Sequence, residues 1–430
     1  MNRRRTLSKM FILIVVFFLA FGETVIAAES SPPAALQTKA KKKVQPAAIR
    51  QQEQNHAESQ IVAGLPERNT IGCVLPLTGR YGEYGTKALD AILLAAGIFD
   101  KKNKTPWKIV AEDSQMLSTG VKDAVARLSN TGNVIAIIAV AGTEEAFDAA
   151  REAAKQKVPL IMITSKEGIT NDNEYVFQHF LTPSQEIRAL AKYAVDDLNC
   201  ETFSILYPED EYGTRMTKIF CTEIGRLGGK VEGAIPFSKK QTDFREEISK
   251  VIMNDVNETG NIDAGNPETK AQVPIEFKAL FIPDSYQRAK LIASQISAYA
   301  AKGFALLGTS LWNSSNLLKK DAACLEGAVF ADSFVINGIS PEINDFVDTY
   351  YAAYSREPEN IEALTYDTMG IIIRVLDDKN VLTRKQFMAG LQQVKNYKGA
   401  TGETSFSEDR VSQKTALILQ VRNGKIEQVK

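Results

Sequence analysis

The chain has 430 residues, 44% of them hydrophobic and 24% charged, with 27 Gly and 15 Pro. That balance excludes a disordered or fibrous protein and supplies enough apolar material for two lobes, each with its own core. A formal net charge of −1 leaves no electrostatic footprint for nucleic acid.

The chain opens with Arg3, Arg4, Arg5 and Lys9 ahead of the apolar run Met10 to Phe21, and the small residues Ala27 and Ala28 follow. This is the order of a cleavable secretory signal peptide over residues 1–28. The run is short against the roughly 20 apolar residues a membrane span needs. Its removal takes away four basic side chains and one acid, which leaves a net charge of −4. Residues 29–67, rich in Ala, Gln, Lys and Pro, read as a flexible linker. An oxidising compartment would let Cys73, Cys200, Cys221 and Cys324 pair in any of three ways. Cys200 with Cys221 is the pair that a strand and its returning helix could bring together; small buried hydrophobes are the alternative.

From Thr70 onward, short apolar runs alternate with amphipathic ones. "TIGCVLPL", "WKIVAED", "VIAIIAV" and "VPLIMIT" read as strands, and the segments between them as helices. Strands alternating with helices indicate a parallel sheet covered on both faces. The rhythm breaks at Pro183 and restarts with "TFSILYP", "KVEGAIPFS", "FKALFIPD", "FALLGTSLW" and "GAVFADSFVI", again separated by helices, which predicts a second α/β lobe. Residues 254–274 are polar and turn-rich, an insertion in that lobe. The chain ends on a hairpin with an Asn423-Gly424 turn.

Parallel sheets bind ligands outside the carboxyl ends of their strands, so the loops there name the candidate surface. Tyr81, Tyr84, Tyr212, Tyr286 and Trp312 can offer flat apolar faces with one polar atom each, while Thr143, Ser165, Asp210 and Asp284 can fix orientation by hydrogen bonds. Thr143 is equally readable as a helix N-cap. The glycines of "TGRYGEYG" stand at G-x-x-G-x-x-G, not the dinucleotide spacing, although Glu112 and Asp113 end the second strand where a ribose-binding acid would sit. Of the two histidines, His56 falls in the linker and His179 at the lobe junction, where it reads as a hinge or core residue. No G-x-S-x-G, S-x-x-K or zinc-ligand spacing accompanies them. No enzyme activity, metal or cofactor is expected.

"IGCVLPLTGRYGEYGTKALDAILLA", "FSILYPEDEYGTRM" and "GETSFSEDRVSQKTALILQVRNGKI" resemble matching segments of the type I periplasmic binding proteins of the leucine/isoleucine/valine-binding family. "FKALFIPDSYQRAKLIASQISAYAAKGFALLGTSLWNSS" and "YVFQHFLTPSQEIRALAKYAV" are similar to the exported members described as penicillin-binding protein activators. The resemblance spans residues 68–430. It implies a periplasmic location and a two-lobed α/β fold, each lobe a parallel sheet with helices on both faces, joined by a three-stranded hinge. Lobe one would comprise 68–181 and 335–400, and lobe two 182–334 and 401–430. Members that bind amino acids hold the ligand carboxylate with hydroxyls after the fourth strand. Thr164 matches that pattern, Ser165 and Gly168 depart from it, and Lys166 and Glu167 are the available substitutes. The acid that pairs the ligand ammonium is expected after "FALLG", where Ser310 stands.

Two functions compete on this reading. The first is an activator that docks on a peptidoglycan synthase, a penicillin-binding protein, and takes its support from the closer resemblance. The alternative is a solute receptor that delivers an amino acid or related small polar compound to the permease of an ABC importer. A small polar ligand in the inter-lobe cleft is expected for the second.

Overall fold

A computed structural model describes residues 65–100, 105–252, 277–299, 303–318 and 322–430. The signal peptide, the linker as far as residue 64 and the polar stretch 254–274 lie outside the described residues.

The first sheet is all parallel, in the order β2-β1-β3-β4-β5, built from β1 (Glu67–Leu75), β2 (Lys108–Asp113), β3 (Val134–Val140), β4 (Leu160–Ile163) and β5 (Val176–Gln178). All seven residues of β3 are buried, as expected of a strand covered on both faces. Each fully buried Val or Ile there contributes about 1.5–3 kcal/mol. Helices α1 (Gly82–Ala95), α2 (Ser118–Asn130) and α3 (Thr143–Gln156) connect these strands. Strand β5 falls in a stretch that reads as a break in the rhythm, because three strand residues are too few to show a period.

The second sheet has seven strands in the order β15-β14-β10-β9-β8-β6-β7. Its parallel part comprises β6 (Thr202–Pro208), β7 (Lys230–Phe237), β8 (Ala279–Phe281), β9 (Ala305–Gly308) and β10 (Val329–Asp332). The terminal hairpin of β14 (Leu417–Arg422) and β15 (Lys425–Gln428) joins it antiparallel. Asn423 and Gly424 both take positive φ, 51° and 67°, the turn whose twist matches the flanking strands. Helices α4 (Pro183–Asp196), α5 (Glu211–Arg226), α6 (Arg245–Ile252) and α7 (Tyr286–Ala298) accompany this sheet, whereas α8 (Pro341–Tyr354) packs against α1, its Tyr354 Oη donating to Asp90 O at 2.6 Å. Helices α9 (Asn360–Leu376) and α10 (Arg384–Gln392) return to pack on the first sheet.

The same device starts α1 and α5. A Cβ on Gly85 would lie 2.1 Å from the Pro76 carbonyl oxygen, and one on Gly213 2.2 Å from that of Pro208. Both helices therefore press their first turn onto the strand end, and only glycine fits. The glycine-rich opening loop is shaped by this contact and by Asp113. Its carboxylate accepts from the N–H groups of Leu77 at 2.8 Å, Thr78 at 3.3 Å and Gln115 at 2.9 Å. Asp113 is thus a loop fastener, with Glu112 ion-paired to Arg127 at 2.8 Å.

Between the sheets lies a three-stranded antiparallel sheet of β11 (Tyr397–Gly399), β12 (Gly402–Phe406) and β13 (Ser412–Lys414). Ser412 Oγ accepts from Phe180 N–H and donates to Phe180 O, both at 3.0 Å. A buried polar network fills the junction. Lys414 Nζ donates to Thr404 Oγ1 at 2.7 Å, Thr401 Oγ1 at 2.8 Å and His179 Nε2 at 3.1 Å. Thr401 N–H donates in turn to Asp367 at 2.7 Å. His179 Nδ1 meets Thr368 Oγ1 at 2.8 Å, and that hydroxyl donates to Leu364 O, so Nδ1 carries the proton and Nε2 accepts. Burial and the adjacent ammonium hold His179 well below the usual histidine range, which makes it a neutral, buried residue of the lobe junction.

None of the four cysteines forms a disulfide, and Cys73 and Cys200 are buried. Cys200 and Cys221 are not paired, and burial raises the Cys73 thiol to about 12.

Candidate functional site

Two cavities open at the carboxyl ends of the parallel strands and share Tyr84 and Phe180 in their walls. One, about 480 Å³, is bounded by the loops after β1, β3 and β4: Arg80, Tyr81, Lys87, Gly142, Thr164 and Ser165 line it. The other, about 500 Å³, reaches across to the second sheet, where Glu186, Ser310, Asn313, Asp332 and Phe334 form its wall. Residues 357–361, ahead of and into α9, close its base.

The first cavity is hydroxylic and partly basic. Thr164 is buried, and its Oγ1 accepts from Lys166 N–H at 3.3 Å, which leaves its hydroxyl proton to offer. Lys87 is neutralised by Glu83 at 3.0 Å and Glu359 at 2.9 Å. Arg80 lies over the Tyr81 ring, 5.5 Å from its centroid.

The second cavity is acidic. Glu186 sits in the first turn of α4, whose start is fixed by Pro183 and by a capping box between Thr182 and Gln185. The helix dipole favours an acid there. Ser310 N–H donates to Glu186 Oε1 at 2.5 Å and Ser310 Oγ to Oε2 at 3.3 Å. Asp332 ends β10 and accepts from Asn313 Nδ2 at 2.8 Å, Asn360 Nδ2 at 2.5 Å and Ser333 N–H at 2.6 Å. Glu186 is 5% and Asp332 4% exposed. Burial pushes Asp332 up to about 7 and Glu186 up to about 8, the latter also raised by Asp332 and opposed by the Ser310 hydrogen bonds.

The sequence matches the periplasmic binding protein family over residues 69–425. The chain belongs to that family. No curated protein matches it by sequence. Solved structures of similar fold include the leucine-binding protein LivK of Thermotoga maritima, with 20% identity, TM-score 0.64 and coverage of 84% of this chain and 97% of the other. The branched-chain amino acid substrate-binding protein LivJ of Streptococcus pneumoniae, solved with isoleucine, gives 22%, 0.62, 84% and 99%. A Rhodopseudomonas palustris ABC-transporter solute-binding protein, solved with 3,4-dihydroxybenzoic acid, gives 17%, 0.64, 83% and 94%. At these identities the likeness is one of fold. It is the two-lobed type I periplasmic binding protein fold.

In this periplasmic binding protein the structure brings Tyr81, Tyr84, Thr164 and Ser165 to the cavities and sets the other expected residues elsewhere. Thr143 is the first residue of α3, whose N-cap is Gly142. Lys166 Nζ stands 5.5 Å from the Phe147 ring centroid. Asp210 caps α5 by accepting from Gly213 N–H at 2.8 Å, and Tyr212 donates to Thr309 Oγ1 at 3.0 Å. Asp284 pairs with Arg288 at 2.9 Å, while Tyr286 begins α7 and packs on the second core. Trp312 is fully buried behind the wall, its Nε1–H donating to Asp284 O at 3.0 Å. Its bulk supports the turn that carries Ser310, so it is a core residue and not a cleft face.

Glu186 and Asp332 are absent from the sequence-derived set. Asp332 follows a fully apolar run to a strand's carboxyl end, the same signal that named the other loops. Glu186 gives no such signal, since an acid in a first helical turn reads as a dipole complement. Among the described residues no group of His, Cys, Asp and Glu is placed to hold a metal ion. No described helix is long and apolar enough to cross a membrane.

Proposed function

We propose that this periplasmic binding protein is an exported, non-catalytic solute receptor that delivers an amino acid or related small polar compound to an ABC importer. The observation that carries the reading is the cleft. Two cavities of about 480 and 500 Å³ meet at Tyr84 and Phe180, with hydroxyl donors on one side and buried carboxylates on the other. Such a site surrounds a small polar solute with oriented partners on both lobes, and contacts to both exist only when the lobes close. The solved proteins of like fold, described as leucine-binding, branched-chain amino acid binding and solute-binding, support the same reading over docking on a penicillin-binding protein.

The reading takes residues 1–28 as a cleaved signal and 29–67 as a tether, with the lobes divided at 181, 335 and 400. Tyr81, Tyr84, Thr164 and Ser165 are assigned to the solute. A thermal-shift screen of the exported chain against amino acids, amines, small carboxylic acids and peptidoglycan fragments tests it. Ligand at 100 times its dissociation constant stabilises the fold by about 2.7 kcal/mol, a shift of roughly 3–4 °C for a body of this size. A flat response to every small solute, with stabilisation by a penicillin-binding protein instead, would replace this reading with the activator one.

A further inference from the structure

The walls of the cleft carry opposite chemistry, and among the described residues no cation pairs with the acidic one. Among the described residues, each hydrogen bond to the Glu186 and Asp332 carboxylates comes from a neutral donor: Ser310, Asn313, Ser333 and Asn360. Lys87 and Arg356, the cations nearest the base of that cavity along the chain, are committed elsewhere. Lys87 pairs with Glu83 and Glu359, and Arg356 pairs with Asp90 at 3.0 Å and Glu362 at 2.6 Å. A buried carboxylate without a cation is costly, and here two share one wall. The upward displacement of both groups, to about 8 and about 7, is the consequence. The same cavity is lined by Tyr84, Phe180 and Phe334, aromatic rings of the kind that attract an organic cation through their faces. Neutral N–H donors already occupy carboxylate lone pairs that a metal ion would need, which favours an organic cation.

We infer that Glu186 and Asp332, with the aromatic rings beside them, form the subsite for a positively charged nitrogen group on the solute, so that the receptor's substrate class is ammonium- or guanidinium-bearing compounds. The inference rests on the receptor reading. Ser310, which stands in the loop where an acid is expected, serves this subsite by holding an acid supplied by α4. The carboxylate therefore reaches the cleft from the helix that follows the lobe junction, and closure brings it against the solute.

Titration calorimetry of the full chain at pH 8.5 tests the inference with choline, putrescine and L-arginine, the uncharged isostere 3,3-dimethylbutan-1-ol, leucine and benzoate. A cationic probe is expected to bind about a hundred-fold more tightly than its uncharged counterpart. Glu186→Gln and Asp332→Asn, which keep a hydrogen-bond acceptor, are expected to lose most of that preference while melting no lower than the parent. Equal binding of choline and its isostere, or unchanged cation affinity in both variants, would overturn the inference. Binding of benzoate alone would overturn it and leave the receptor reading standing, whereas no binding of any probe would remove both. If neither variant folds, the isostere comparison on the parent chain still decides.

Discussion

Replacing Lys414 with Met removes an ammonium that ties the lobe junction to α9. Lys414 uses all three of its donors, to His179, Thr401 and Thr404, and burial raises the Asp367 carboxyl above the usual range while the Lys414 charge opposes that rise. Without it three acceptors and one carboxylate are left in a dry site. Breaking one partner out of such a network costs about 3 kcal/mol. At roughly 2.1 cal/mol/K per residue over the 332 described residues, that is a fall of about 4 °C in melting temperature. The pH dependence supplies a second signature. Burial drives Lys414 down to about 8, from 10.5 in the unfolded chain. Between those values the unfolded chain keeps a proton that the folded one has released, so folding stability rises with pH. The gain from this group between pH 7 and pH 10 is about 2 kcal/mol. Denaturant unfolding of parent and K414M chains at both pH values measures it as the change in their difference. A variant as stable as the parent at pH 7, or a difference that does not widen by pH 10, would refute this description of the junction.

Gly308→Ala would place a Cβ 2.2 Å from the Trp312 ring, and the displaced indole should cost about 1–3 kcal/mol, read as a lower midpoint in thermal melting. The four reduced cysteines predict four titratable thiols in the denatured, unreduced chain; a count of two would mean a disulfide. Choline affinity should be set by the acid pair, whose protons compete with the ligand near 7 and 8. Asp332 on β10 and Tyr212 on α5 are the titratable groups coupled to Glu186, and neither supplies positive charge. The affinity should therefore be near its maximum above pH 8 and fall on the order of tenfold per unit on acidification through pH 7; calorimetry across pH 6–9 with a flat profile would count against the subsite.

Local pattern carried most of the fold. The seven apolar residues of β3 and the Asn423-Gly424 turn are signals that neighbouring residues alone produce, and both elements form where they are read. Short elements escaped: β5 has three residues, and α10, although capped by Thr383 and Gln386, buries only Phe387 and Leu391. The two-residue turn makes β14 and β15 antiparallel to each other, whereas the antiparallel pairing of β14 with β10 depends on the direction from which the chain re-enters the second sheet. The cavity wall was legible on the first lobe, where loop position after a strand is enough to find Tyr81, Thr164 and Ser165 lining it. It was less so on the second, because Trp312 and Tyr286 turn into the core while Glu186 arrives from a helix after the lobe junction. Such placements depend on tertiary packing, and no spacing in the sequence encodes them.

The central claim is that the cleft takes one small polar solute. Titration calorimetry of the chain against the solute panel tests it most directly. The account predicts saturable heat at one site per chain from a nitrogen-bearing solute, with a negative heat-capacity change as the closing lobes bury surface. Heat of dilution alone from every solute, on a chain that still melts cooperatively, would contradict it.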